Sequence, residues 1–145
     1  MGKLVRFIIA ALVCFTLASI AHTQFVLAEM ASVDVTIQWS ERLQMTFKDW
    51  LGLLPTYGII IGLGLLLAFL VAGGIEKATR PMPAAFYGLA GFVALLAIHA
   101  AMQPIMGITL IAGARTLAGL LTQAVAGFVG GWLFVQMRPA PRRWF

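Results

Sequence analysis

Four apolar stretches, at about residues 7–27, 53–75, 84–101 and 116–136, constrain this chain more than any other feature. Each has the roughly 20 apolar residues that a helix needs to cross a bilayer. In lipid a backbone must satisfy its own hydrogen bonds, so such stretches are helices. The expectation is all-α: a polytopic membrane protein built as a four-transmembrane-helix bundle, a single membrane domain over residues 1–145. Composition agrees, with 61% hydrophobic and only 10% charged residues against about 25% charged in soluble proteins. No segment between the stretches is long enough to build a globular core.

Charge gives the expected sides. Lys3, Arg6, Lys77, Arg80, Arg138, Arg142 and Arg143 are seven of the ten basic residues, and all fall on one side of the bundle. The other side holds Glu29, Asp34, Glu41 and Asp49 against Arg42, Lys48 and Arg115. The positive-inside rule then puts both termini in the cytoplasm of a bacterial-type inner membrane. Trp39, Trp50 and Tyr57 outside, with Phe86, Tyr87, Trp132 and Trp144 inside, read as interface anchors. Arg115 is costly within lipid, so the fourth span starts at Thr116. Residues 103–115 are then a hydrophobic loop, a re-entrant segment or a helix extension. The basic pI of about 10.2 follows from this topology and calls for no nucleic-acid partner.

The first stretch doubles as a candidate secretory signal, with Ser19, Ile20 and Ala21 as a small-x-small site before His22. Apolar character continues through Phe25, Val26 and Leu27, which favours an uncleaved helix. Cys14, the single cysteine, lies within this stretch as a small core residue and excludes an internal disulfide. Between the first two spans, about residues 32–51, Trp39, Leu43, Phe47 and Trp50 recur at helical spacing. They predict a short outer amphipathic helix, capped by Ser32 or Asp34, that lies on the outer leaflet or docks a partner.

Small residues at four-residue spacing, notably Gly58 and Gly62, then Gly127 and Gly131, permit close helix approach, within the bundle or between copies. At about 1.5 Å rise per residue, His22 and His99 both fall in the outer half of the membrane. Gln24, Gln103 and Arg115 belong near the same surface. Two histidines on facing helices are candidate ligands for haem iron, for copper, or for a quinone. They equally suit ordinary hydrogen bonds between helices. Thr122 and Gln123, inside the fourth span, either reach His99 or bond across helices.

The missing residues also constrain function. The second, third and fourth spans contain no Asp or Glu, whereas a proton-coupled exporter needs an embedded carboxylate. No Ser-His-Asp set, HExxH motif, phosphate-cradling glycine loop or pair of carboxylates points to catalysis. The leading expectation is a non-enzymatic accessory, assembly or scaffold subunit that packs against itself or a larger membrane complex. The alternatives are a haem-, copper- or quinone-binding protein using His22 and His99, and a small transporter or channel.

Overall fold

Backbone polar groups in apolar stretches have only each other to bond, and every long element is accordingly a helix. The computed structural model of the chain describes residues 2–79, 82–106 and 112–139, with the side chains of Thr79, Gln103 and Met106 left aside. The helices are α1 (Lys3–Ala31), α2 (Trp39–Leu53), α3 (Ile59–Thr79), α4 (Pro83–Met106) and α5 (Leu117–Gln136). Four helical stretches are long and apolar enough to cross a membrane: α1, the continuous run Trp39–Ala78, α4 and α5.

Several boundaries differ from expectation. Helix α1 continues to Ala31, where the Ser32 N–H closes its last turn on the Ala28 carbonyl. Asp34 then reverses the chain at a φ of 61°, a conformation that Asp tolerates better than most residues. Ser32 and Asp34 therefore terminate α1 and do not cap α2. Helix α2 begins only at Trp39, where the Gln38 N–H donates to Glu41 Oε2 at 3.0 Å. No loop parts α2 from α3. Pro55 lacks the N–H that an α-turn needs, and a π-helical turn, Leu54–Gly58, carries the chain through. Past the expected end near residue 101, α4 runs on to Met106 through Pro104. The start of residues 103–115 is thus a helix extension, while residues 107–111 lie outside the described residues. Thr116 caps α5, its Oγ1 accepting from the Gly119 N–H at 3.0 Å.

Helix α5 packs against both α4 and α1, and α3 packs mainly on α4 while also touching α1 and α5. Glycine sets the closeness of the α4–α5 seam. Gly91 and Gly127 face each other's carbonyls, and Gly131 faces the Tyr87 carbonyl, so closely that a Cβ at any of them would strike backbone. Gly62, by contrast, faces open space, and Gly58 rests on the side chains of Leu54 and Phe15. A seam this close suits lipid, where association rests on packing and gains little from the hydrophobic effect.

One end of the bundle is aromatic. Phe134 stacks on Phe69 with centroids 4.9 Å apart, and Tyr87 and Phe7 complete the cluster around Phe69. Beyond the apolar part of α3, Arg138 grips Glu76 with two hydrogen bonds, at 2.6 and 3.0 Å, while the Tyr87 hydroxyl donates to the same carboxylate at 3.0 Å. The Arg138 bonds hold the Glu76 carboxyl below the usual carboxylate range, aided by Tyr87 and opposed by partial burial. A depressed folded-state value means the stabilisation is present above the ordinary value of 4.5 and is lost as pH falls through the depressed one. Glu76→Gln is expected to cost about 1 kcal/mol at neutral pH, the upper range for a partly exposed pair of good geometry. Thermal unfolding in detergent at pH 7 and pH 3 checks it: the gap between the two proteins should close in acid.

The outward faces are apolar. Leu63, Leu67, Leu70 and Val71 of α3 and Val125 and Trp132 of α5 are all exposed. A surface of this kind marks a membrane or protein interaction site.

Candidate functional site

A hydrogen-bonded chain crosses the centre of the bundle and ties all four long helical stretches together. Its members are His99 on α4, Tyr57 in the π-helical turn, Gln123 on α5 and the Ala18 carbonyl on α1. Tyr57 is 1% exposed and Gln123 is fully buried. Pro55 opens the turn that follows α2, and Tyr57 sits two residues later with its hydroxyl in the core. A buried hydroxyl or amide without a partner costs about 1–3 kcal/mol, so the chain persists only because its members serve one another.

Proton counting shows one mismatch. His99 Nδ1 lies 2.8 Å from the Leu95 carbonyl, which only accepts, so Nδ1 carries a hydrogen. The Gln123 Nε2 group donates to the Ala18 carbonyl at 2.9 Å, which fixes the amide's orientation and leaves Oε1 as an acceptor. The Tyr57 hydroxyl stands 3.0 Å from Gln123 Oε1 and 3.2 Å from His99 Nε2. With a neutral imidazole, one hydroxyl hydrogen faces two acceptors. With a cationic one, every contact in the chain pairs a donor with an acceptor. Charging His99 in an apolar core costs several kcal/mol, more than the one hydrogen bond at stake. The neutral, competing arrangement therefore wins.

His22 does not share this chain. Its Nδ1 accepts from the Gly113 N–H at 3.1 Å, tying α1 to the turn before α5. Next to it, Thr23 donates to Asp49 Oδ2 at 2.8 Å and joins α1 to α2. The two histidines thus have separate protein partners. His99 Nε2, the nitrogen left free of the backbone, faces the Tyr57 hydroxyl at 3.2 Å. Among the described residues no three His, Cys, Asp or Glu side chains gather as a metal site.

The other expected residues scatter. Gln24 turns to Thr46 of α2 at 3.5 Å, a bond at the limit of useful length. Arg115 is exposed just before α5, and the Gln103 side chain lies outside the described residues. Thr122 bonds back within its own helix, to the Ala118 carbonyl. Trp39, Leu43 and Phe47 are 77%, 70% and 63% exposed. Trp50 instead turns inward, packs at a tilt against Phe15, and donates its indole N–H to Thr16 Oγ1 at 3.1 Å. Tyr57 and Tyr87 are buried, so neither has an exposed ring to serve as an interface anchor. Trp144 lies outside the described residues.

Sequence reasoning missed two residues. Tyr57 was foreseeable only through Pro55, whose missing N–H marks a disturbed turn at the start of an apolar stretch. Arg6 read as a topology determinant, yet it is 6% exposed and its Nε and Nη1 have no partner among the described residues. The Phe134 ring lies 5.4 Å beneath its guanidinium. A desolvated cation–π contact is worth about 2 kcal/mol, less than the several kcal/mol lost on withdrawing the charge from water.

No known protein family, characterised protein or solved structure matches this chain.

Proposed function

We propose that this chain is a non-enzymatic subunit of a bacterial-type inner membrane, both termini cytoplasmic, that receives a transmembrane helix of a larger membrane complex. The observation that carries this reading is a shallow apolar groove of about 580 Å³ between α3 and α4. Gly64 and Ala68 lie in one wall beside Leu67 and Val71, and Ala90 and Ala97 in the other beside Val93. Small residues on both walls let a third backbone approach closely, the usual basis of helix association in lipid. The exposed Trp39, Leu43 and Phe47 of α2 add an apolar stripe that suits the outer leaflet or the same partner.

Ala97→Phe, at an exposed position on the α4 wall, fills the groove. Wild-type chain extracted in mild detergent is expected to migrate with a stoichiometric membrane partner, which the variant loses. Light scattering with mass spectrometry of the purified species checks this. A monomer that co-purifies with nothing in both forms would defeat the reading, and a homodimer would replace the partner with a second copy.

A second reading, a small transporter or channel, draws support from the polar chain through His99, Tyr57 and Gln123. Solute or ion flux in liposomes that falls with Tyr57→Phe would favour it.

A further inference from the structure

We propose that Arg6 holds the phosphate of an acidic phospholipid at the membrane surface where α1 begins, an inference that rests on the four long helical stretches being membrane spans. A guanidinium stays charged at any pH the protein meets, and its donors lie in the plane of the group. Phe134 covers a face of it, which leaves the in-plane Nε and Nη1 unserved among the described residues. The carboxylate at this end of the bundle, Glu76, is already committed to Arg138 and Tyr87. In this proposal an acidic headgroup completes the set once the long Arg6 side chain turns its buried nitrogens toward the membrane surface, as arginine side chains do there.

Two features select the anion. The planar fork of arginine matches a phosphate with two parallel hydrogen bonds. In the same turns of α1, Leu4, Val5 and Ile8 are exposed apolar residues, so a ligand that carries hydrocarbon beside its phosphate is favoured over a water-soluble ion. Arg6 also stands in the first turns of a 29-residue helix. Side chains there lean toward the helix start, where free N–H groups favour negative charge. Basic pockets at the cytoplasmic side of helix bundles bind acidic headgroups on the same principle.

The test titrates the full chain in mild detergent with phosphatidylglycerol, with phosphatidylcholine and with inorganic phosphate, reading binding by native mass spectrometry and by Tm. Phosphatidylcholine carries the same phosphate but neutralises it with its own trimethylammonium, so wild type is expected to bind the net-negative phosphatidylglycerol about tenfold more tightly, the size of one charge-assisted contact. Arg6→Gln should erase that preference, Arg6→Lys should keep part of it, and the exposed Lys3→Gln should keep it whole. An unchanged preference in Arg6→Gln, or none in wild type, overturns the proposal. Inorganic phosphate that displaces the lipid and raises Tm equally would overturn the lipid as the source. Should Arg6→Gln not fold, the wild-type comparison of the two lipids and the Arg6→Lys series still decide. Failure to insert into phosphatidylcholine liposomes would count against the membrane spans themselves; insertion without lipid preference counts against Arg6 alone.

Discussion

Gly127→Ala is expected to destabilise the bundle by about 2–3 kcal/mol, the upper range for an overpacked core. The added Cβ would strike the Gly91 carbonyl and come within 2.8 Å of Leu95 Cδ2. A flexible side chain can turn aside, but the Gly91 backbone is held in α4 by its own helix, so α4 and α5 must part. Gly91→Ala, which strikes the Gly127 carbonyl, should cost a similar amount, and the two together should cost less than their sum because they open the same seam. Gly62→Ala is the control. Nothing lies within 4 Å of its Cβ position, so helix propensity alone acts, and stability should hold or rise by up to about 1 kcal/mol. Reversible unfolding by denaturing detergent, followed by circular dichroism, measures all four proteins. Equal losses at Gly127 and Gly62 would show that the seam is not as close as described.

The second large effect is at Tyr57. Tyr57→Phe removes the hydrogen that Gln123 Oε1 and His99 Nε2 share, and is expected to cost about 2 kcal/mol, the penalty of a buried group left without its partner. Gln123→Met behaves differently. It removes one of the two competing acceptors, so the Tyr57 hydroxyl can serve His99 alone; what is lost is the bond from Nε2 to the Ala18 carbonyl, about 1 kcal/mol. The order of the two variants tests the protonation state of His99. A cationic imidazole would leave the Tyr57 hydrogen without an acceptor once Gln123 is gone, and Gln123→Met would then be as damaging as Tyr57→Phe.

The long helices were legible because run length and hydropathy are local properties. Residues 7–27 and 116–136 read as helices from their own composition, and Thr116 read as the start of α5 from the cost of Arg115 in lipid. The start of α2 was not legible, since Ser32 and Asp34 look like N-caps whichever helix they border; only the continuation of α1 to Ala31 decides that they end it. Trp50 was misjudged for a related reason. It shares helical spacing with Trp39, Leu43 and Phe47, but lies near the π-helical turn, and its indole found Thr16 on α1.

By itself, then, the sequence determined that the chain is helical, with four segments long and apolar enough to cross a membrane. Backbone hydrogen bonding and hydrocarbon thickness leave such segments no other form. The tertiary structure alone decided which polar groups meet. Helices that are apolar all round carry no stripe to say which face turns inward. The partners of the central chain stand 42, 66 and 105 residues apart, joined only when α1, α4, α5 and the turn at Tyr57 assume their mutual rotations. The same holds for Arg6, whose guanidinium meets the ring of Phe134 from the far end of the sequence.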